Sequence, residues 1–354
     1  IFGIIFMITL LSAYNPSEKV DSLYETSASQ AINYGPTVYT QQWQKAMQWV
    51  RDNTPENAVF GHWWDYGYWV QSIGNRATVL DGGNALGYWN YLMGRYALTG
   101  TSNQEALEVL YSHNTTHFLI DSSDLGKYSA FSSIGSDANY DRYSWIPILL
   151  RNPSQSQETK SSVLNVYNGG FYLESDIVYD INGTKIFLLA NKAAIAGIIV
   201  ETDLSGNILS QPQGVFFYQN KEYRLPLRYA YDTKFTDFGA GIESGIYLLP
   251  QLDSSGGGLQ INKIGTVIYL NSKTVNSQLA RLYLYKEDNS NFKLVHTEDD
   301  YIVSQLKTNN GFTGDFVYYN EFRGPIKIWE INYPVGMKVN PLYIQTNYPD
   351  GVIP

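Results

Sequence analysis

The stretch Asn57-Ala58-Val59-Phe60-Gly61-His62-Trp63-Trp64-Asp65-Tyr66-Gly67 places a short apolar run directly before two tryptophans and an aspartate. Each indole offers one N–H donor and a large rigid face, whereas an ionised aspartate offers only acceptors. Together these side chains can enclose a small group that both donates and accepts hydrogen bonds, such as a hydroxyl. The same residues also suit a buried turn with two neighbouring aromatic side chains, and their local chemistry leaves both interpretations open.

Apolar runs and amphipathic segments alternate around this stretch. The spacing of apolar residues predicts helices at 41–52, 68–73 and 104–113, and strands at 57–60, 77–80 and 117–120. This alternation predicts an α/β core with a mostly parallel sheet. Ligands of such sheets bind beyond the carboxyl ends of the strands. The residues at 63–65, 81 and 121–124 follow three predicted strands, so we expect them to lie close together.

The character of the sequence changes after about residue 167. Turn pairs such as Asn182-Gly183 separate short runs of β-branched and aromatic residues, a pattern typical of β-hairpins. The central core is therefore predicted at 15–167, with a β-rich insertion at 168–262, which makes the fold α+β overall. Residues 263–336 are predicted to return to the core, and residues 337–354 to form a C-terminal tail.

The first fourteen residues are apolar and carry no charge. They are shorter than the roughly 20 residues that a membrane-spanning helix needs. We expect residues 1–14 to be the end of the last transmembrane helix of a longer membrane protein. A signal peptide and a buried N-terminal helix are the alternatives.

The composition excludes several classes of function. The net charge is −9, and the absence of a Lys/Arg cluster argues against nucleic-acid binding. The chain has no cysteine, which excludes disulfides and thiolate catalysis. Charged residues make up 16% of the chain, against about 25% in typical soluble domains. Because neutral polar groups do not titrate, we expect the protein to tolerate an acidic exterior.

Several other residues have chemically suggestive positions. Asp137-x-Asn139-x-Asp141 resembles the start of a calcium loop, but Arg142 stands where such loops need glycine, so no metal site is predicted. His62 is predicted to be a hydrogen-bonded structural histidine and not a general base. The sequons at Asn114 and Asn182 are predicted as glycosylation sites on the exposed surface.

Two motifs make this chain resemble a known family. Trp63-Trp64-Asp65-Tyr66-Gly67 resembles the WWDYG signature of the oligosaccharyltransferase catalytic subunit, the family of archaeal AglB and bacterial PglB. Asp124-Leu125-Gly126-Lys127-Tyr128-Ser129-Ala130-Phe131 resembles the family's DK motif, D-x-x-K-x-x-x-(M or I), except that Phe131 replaces Met or Ile. Spacings of three and seven residues would place Asp124, Lys127 and Phe131 on one helix face.

The resemblance implies an activity and a role for each motif residue. The family transfers a lipid-linked oligosaccharide, of the dolichyl type, to asparagine in Asn-x-Ser/Thr sequons of an acceptor polypeptide. The resemblance assigns the recognition of the sequon hydroxyl to Trp63, Trp64 and Asp65, with Lys127 and Phe131 beside them. Tyr66, Gly67 and Asp124 would support the motifs. Phe131 would occupy the position that packs against the threonine methyl group.

The resemblance also implies what lies outside this chain. The catalytic acids and a Mg²⁺ or Mn²⁺ ion would be bound by a preceding membrane domain, so no catalytic residue is expected here and the isolated fragment should be inactive. The protein would lie in the cell membrane, with this domain on the extracellular face. Two alternatives remain open: an extracellular carbohydrate-binding or surface-layer module, and a glycosidase that uses a carboxylate pair such as Asp65 and Asp81.

Overall fold

The computed structural model of the chain describes residues 39–181, 183–253 and 260–349. The predicted end of a transmembrane helix at 1–14 lies outside the described residues. Within the described ranges, no helix is long and apolar enough to cross a membrane. The chain divides into a unit of residues 1–44 and a unit of residues 45–354, and the second unit contains the motif residues and all the sheets.

The described residues form eighteen strands, numbered in chain order. They are β1 (Val59–Gly61), β2 (Ala77–Thr78), β3 (His117–Ile120), β4 (Ile148–Leu150), β5 (Gln157–Glu158), β6 (Ser162–Tyr172), β7 (Ile177–Ile181), β8 (Thr184–Leu188), β9 (Ala194–Asp203), β10 (Gln213–Tyr218), β11 (Lys221–Tyr231), β12 (Phe235–Asp237), β13 (Ile242–Asp253), β14 (Gln260–Leu270), β15 (Phe292–Glu298), β16 (Val317–Tyr319), β17 (Glu321–Arg323) and β18 (Ile326–Ile331).

The same part of the chain contains six α-helices. They are α1 (Gln41–Asn53), α2 (Gly67–Ser72), α3 (Gly87–Leu92), α4 (Asn103–Ser112), α5 (Tyr128–Ile134) and α6 (Tyr301–Asn310). Two 3₁₀ turns, Trp64–Tyr66 and Ser122–Asp124, and two π-helical segments, Met93–Leu98 and Ala280–Leu284, complete the helical elements. The first π-helical segment continues directly from α3.

A five-stranded sheet in the order β15-β18-β3-β1-β2 carries the motifs. Strand β1 pairs in parallel with β2 and with β3, but β18 pairs antiparallel with β3, and β15 antiparallel with β18. The sheet is therefore mixed, and the prediction of a mostly parallel sheet is wrong. After β3 the chain leaves this sheet and returns only at β15. Strands β15 and β18 are therefore not joined to β3 by the crossover connections that parallel strands need.

The larger sheet has eleven strands and a core of its own. Strands β13, β11, β10, β9 and β6 are neighbours in it, and their inward side chains, such as Tyr167, Ile198 and Phe216, are fully buried. The predicted hairpin around Asn182-Gly183 is confirmed, since β7 and β8 pair antiparallel. The mixed α/β class with a β-rich part is confirmed as well. This sheet includes strands on both sides of 168–262, and the predicted domain boundaries stay a prediction.

The helices follow local signals in most places. The predicted helix at 104–113 is α4, and the Ser102 hydroxyl caps it by accepting from the Glu105 backbone N–H at 3.3 Å. Helices α3 and α6 were not predicted. Two glycines at α3 and its π-helical extension, Gly87 and Gly94, lower helix propensity, so tertiary packing decides this segment. In the C-terminal tail, Tyr348 contacts Tyr88 and Tyr91.

Candidate functional site

The first motif forms a tight turn after β1. Trp64–Tyr66 is a 3₁₀ turn, and α2 begins at Gly67. A β-carbon on Gly67 would lie 2.4 Å from the Cα of Asp81, which follows β2, so the backbones touch and only glycine fits. The carboxyl ends of the two parallel strands therefore bring the segments at 63–67 and 81 together, as the strand pattern predicted.

The three predicted hydroxyl-binding residues differ in their exposure. Trp63 exposes 1% of its surface, whereas Trp64 and Asp65 are half-buried. The Trp63 ring packs edge-on against Phe131, with 5.6 Å between the centroids, and Phe131 is fully buried. Tyr128 covers another side of Phe131, at 5.0 Å between centroids. Trp64 and Asp65 are thus the accessible residues of the predicted site, whereas Trp63 and Phe131 form the buried layer next to them.

Lys127 connects the second motif to the first. Its ammonium group lies 2.6 Å from Asp65 Oδ2 and 3.1 Å from the Tyr66 hydroxyl, and 4.5 Å from the centre of the Tyr66 ring. The side chains of Lys127 and Asp65 expose 32% and 24% of their surfaces. The ion pair is therefore partly shielded from water while remaining accessible to a ligand.

Tyr66 forms a second connection between the motifs. Its hydroxyl donates to Asp124 Oδ1 at 2.7 Å and lies 3.0 Å from the Ser123 hydroxyl. Burial raises the pKa of Tyr66 well above its usual value, so the hydroxyl keeps its proton and remains a donor. Burial, together with the charge of Asp121, raises the pKa of Asp124 to about 7. The predicted motif-supporting residues Tyr66 and Asp124 thus contact each other directly.

The predicted common helix face is wrong in one respect. Asp124 belongs to the 3₁₀ turn Ser122–Asp124, Lys127 is the residue before α5, and Phe131 lies inside α5. Asp121 and Asp124 form a capping box around the turn, in which each carboxylate accepts from a backbone N–H. This local hydrogen bonding favours a separate turn over one continuous helix. Each of the three residues nevertheless contacts the first motif: Asp124 contacts Tyr66, Lys127 contacts Asp65, and Phe131 contacts Trp63.

Two residues of this network were not assigned a role from the sequence. Asp121 and Ser123 link the turn internally, since Asp121 Oδ1 accepts from the Ser123 backbone N–H at 2.8 Å. Burial raises the pKa of Asp121. Their position directly after β3 was the available signal, because the residues that follow parallel strands face the same edge of the sheet.

His62 is buried beside the motif. Its Nδ1 lies 2.7 Å from the Trp63 carbonyl oxygen, and burial lowers its pKa to about 4. Within the described residues, Nε2 has no hydrogen-bond partner. His62 is therefore neutral at pH 7, and it contacts the Trp63 backbone. Burial and a hydrogen bond to a backbone carbonyl are the surroundings of a structural histidine.

The other predicted sites have varied surroundings. Asn114 is exposed, but the Thr116 hydroxyl of its sequon is bonded to the Val59 backbone N–H at 3.0 Å. Asn182 lies outside the described residues. Asp141 of the calcium-like loop binds Arg95 through both carboxylate oxygens. In the described ranges, no group of three or more His, Asp or Glu side chains is arranged to hold a metal ion.

Comparison with known proteins shows what the motif region is similar to. Residues 56–133 match the STT3/PglB/AglB core domain. Dolichyl-phosphooligosaccharide-protein glycotransferase 1 of Pyrococcus furiosus is 35% identical over 100 residues, which cover 28% of this chain and 10% of that protein. The rice glycosyltransferase subunit STT3B is 30% identical over 108 residues, or 29% of this chain and 14% of that protein. The family resemblance predicted from the two motifs is confirmed.

Two solved structures are similar to this chain at much lower sequence identity. The Archaeoglobus fulgidus oligosaccharyltransferase crystallised with Zn and sulfate is 13% identical, over 93% of this chain and 39% of that chain, with a TM-score of 0.42. The C. jejuni pglb C-terminal domain is 10% identical, over 82% of this chain and all of that chain, with a TM-score of 0.41. Both scores are low, so the resemblance rests on the match at residues 56–133.

Proposed function

We propose that this chain, whose residues 56–133 match the STT3/PglB/AglB core domain, is the acceptor-recognition part of a membrane oligosaccharyltransferase. The alignments cover only 10–14% of the length of the curated relatives named above, so the activity of a whole enzyme is part of the proposal. The reaction would transfer a dolichyl-linked oligosaccharide to asparagine in an Asn-x-Ser/Thr sequon. This chain would bind the Ser/Thr side chain.

The observation that supports the proposal is the Asp65–Lys127 contact. Lys127 lies against one oxygen of the carboxylate, Oδ2, at 2.6 Å, so the other oxygen can accept a hydrogen bond from a hydroxyl group. Trp64 lies next to Asp65 and is half-buried, so it can supply an apolar wall and an indole N–H donor. A partly desolvated carboxylate of fixed orientation is what a hydroxyl-binding site needs.

The chemistry of transfer is assigned outside this chain. Among the described residues no carboxylate cluster could hold a divalent cation. Following the family resemblance, we place the Mg²⁺ or Mn²⁺ ion and the catalytic acids in a membrane domain. We place the present domain on the extracellular face of the cell membrane. Such an ion would polarise the donor, while Asp65, Trp64 and Lys127 orient the acceptor.

The glycosidase alternative is less well supported. Such enzymes need one carboxylic acid whose pKa is raised so that it can protonate the leaving group. The hydrogen bond from Gln71 instead holds the pKa of Asp81 below its usual value. Asp65 is paired with Lys127. A carbohydrate-binding module remains the second candidate, because exposed tyrosines such as Tyr68, 52% exposed, suit sugar stacking.

The proposal is tested with Asp65→Ala in the full-length protein. We expect kcat/KM for an Asn-x-Thr acceptor peptide to decrease at least about 100-fold, because the hydroxyl loses its acceptor. The matched control is Asp237→Ala, which removes an aspartate paired with Arg228 at 2.9 Å in the larger sheet, and it should leave glycosylation unchanged. Normal glycopeptide formation by Asp65→Ala, or sugar binding without acceptor binding, would contradict the proposal.

A further inference from the structure

The backbone of α5 is in direct contact with the π-helical segment Met93–Leu98. A β-carbon on Gly94 would lie 2.4 Å from the Phe131 carbonyl oxygen. A β-carbon on Gly135 would lie 2.5 Å from the Arg95 backbone nitrogen. Real β-carbons do not approach other atoms this closely, so the two glycines permit a contact that no other residue would. The position of α5 is therefore determined by the π-helical segment.

Arg95 holds the end of α5 from the same segment. Its Nη1 donates to the carbonyl oxygen of Gly135, the residue after α5, at 3.0 Å. The guanidinium also binds Asp141 with both arms, Nη1 to Oδ1 at 3.0 Å and Nη2 to Oδ2 at 2.9 Å. A cation at a helix C-terminus interacts favourably with the helix dipole, and the fork geometry of arginine fixes direction as well as distance.

The calcium-like loop is built around this guanidinium. Asp141 Oδ1 also accepts from the Asp137 backbone N–H at 2.9 Å, and Asp137 Oδ1 accepts from the Asn139 backbone N–H at 2.9 Å. The carboxylates of the loop are thus engaged by Arg95 and by the loop backbone. Arg95 is therefore the cation that the Asp141 carboxylate binds in this loop.

The contact extends to the first motif through one residue. The Phe131 carbonyl oxygen is the atom that touches Gly94, and the Phe131 ring packs against Trp63 at 5.6 Å between centroids. Both aromatic side chains are buried, so neither can move without the other. Trp63 in turn precedes Trp64 and Asp65 in the same turn. A shift of α5 therefore displaces the residues that would contact an acceptor.

We propose that Arg95, together with Asp141, is a positioning residue that determines the depth of the acceptor pocket, the space beside Trp64, Asp65 and Lys127, and thereby its discrimination between threonine and serine. The inference rests on the proposed function. Arg95 does not touch the acceptor; it acts through α5, Phe131 and Trp63. A methyl group in an apolar pocket changes specificity about 10- to 200-fold, so a small displacement of the pocket wall alters the threonine/serine ratio measurably.

The first experiment compares Arg95→Lys with wild type in the full-length protein. Lysine keeps the charge but cannot reach Gly135 and both oxygens of Asp141 with one rigid fork. With Asn-x-Thr and Asn-x-Ser peptides we expect the threonine/serine ratio of kcat/KM to decrease about threefold or more. We expect KM to rise more than kcat falls. The control is Arg228→Lys, whose arginine also binds one aspartate, Asp237, with two donors, Nε at 2.9 Å and Nη2 at 3.0 Å.

A second pair of variants changes the glycine contact. Gly94→Ala should alter the threonine/serine ratio in the same direction, because its β-carbon meets the Phe131 carbonyl oxygen. The control is Gly87→Ala in the same helical run, whose β-carbon would have no neighbour closer than 3.8 Å. Thermal unfolding of every variant shows whether a change in activity comes from a loss of folded protein or from a change in acceptor preference.

The outcomes separate this inference from the proposed function. If wild type glycosylates the threonine peptide, but Arg95→Lys and Gly94→Ala keep the wild-type ratio, the positioning role is overturned and the proposed function stands. A loss of activity that follows only the decrease in folded protein, at a constant ratio, also overturns it. If wild type glycosylates neither peptide, the proposed function fails, and the inference fails with it.

Discussion

At the scale of single residues, the two tryptophans of the motif have different positions. Trp63 is buried against Phe131, while Trp64 and Asp65 reach the surface. Adjacent residues in a tight turn point in different directions, so identical side chains acquire different surroundings. The Phe131 ring is fully covered, and its effect on an acceptor would be transmitted by Trp63. Direct packing of Phe131 against a threonine methyl group would require Trp63 to move.

Phe131 provides a test at this scale. Phe131→Ala should lower the free energy of unfolding by about 3–5 kcal/mol, because it leaves a cavity beneath Trp63. Phe131→Leu removes less volume, so it is the better variant for measuring acceptor preference. We expect it to change the threonine/serine ratio more than the turnover of either peptide. The control is Phe216→Leu, equally buried in the larger sheet; equal effects on both peptides would exclude a pocket role.

At the scale of elements, one aspartate forms ion pairs with lysines from three separate segments of the chain. Asp315, just before β16, lies 2.9 Å from Lys327 of β18, 3.0 Å from Lys286 and 3.8 Å from Lys307 of α6. Lys327 exposes 1% of its surface, and burial lowers its pKa to about 8 despite the nearby carboxylate. Burial opposes ionisation of Asp315, but the charges and hydrogen bonds of Lys327 and Lys286 together outweigh it and lower the pKa of Asp315.

Removing this carboxylate should loosen the junction of β18 with α6. We expect Asp315→Asn to lower the free energy of unfolding by about 3 kcal/mol at pH 7, because Lys327 stays buried without a counterion. Chemical denaturation measures it. Asp237→Asn, which breaks the exposed pair with Arg228, should lower the free energy of unfolding much less, because water screens an exposed ion pair. If Asp315→Asn costs no more than this control, Asp315 does not stabilise the junction.

At the scale of the whole molecule, buried groups respond to acid in opposite ways. Burial lowers the pKa of all four histidines, His62, His113, His117 and His296. The unfolded state therefore binds more protons, and acid destabilises the fold from about pH 6.5 towards the folded pKa values. Asp124 has the opposite sign, because its folded pKa is raised to about 7. The folded state therefore takes up the Asp124 proton at a higher pH than the unfolded state does. Protonation of Asp124 thus stabilises the fold as pH decreases from 7 towards 4.

We expect these contributions largely to offset each other. The free energy of unfolding should change by less than about 3 kcal/mol between pH 7 and 4, and decrease steeply below pH 4. There the paired Asp141 and Asp315, whose pKa values are lowered, become protonated. Urea unfolding at successive pH values measures the profile. Asp124→Asn should make the free energy of unfolding decrease more steeply between pH 7 and 4. His62→Gln should reduce that decrease by about 3 kcal/mol. Profiles of both variants parallel to the wild-type profile would contradict these roles.

The sequence by itself determined the family resemblance, the two motifs, the parallel run β1 to β3 and the hairpin of β7 and β8. These features depend on local periodicity, turn residues and short motifs, which are read along the chain. Only the tertiary structure decided that Lys127 faces Asp65, that Trp63 is buried against Phe131, and that β18 and β15 join the sheet antiparallel. Contacts between distant segments depend on how backbones pack. The touching glycines Gly94 and Gly135 leave no periodic pattern in the sequence, and so the link from Arg95 to Trp63 became visible only in the fold.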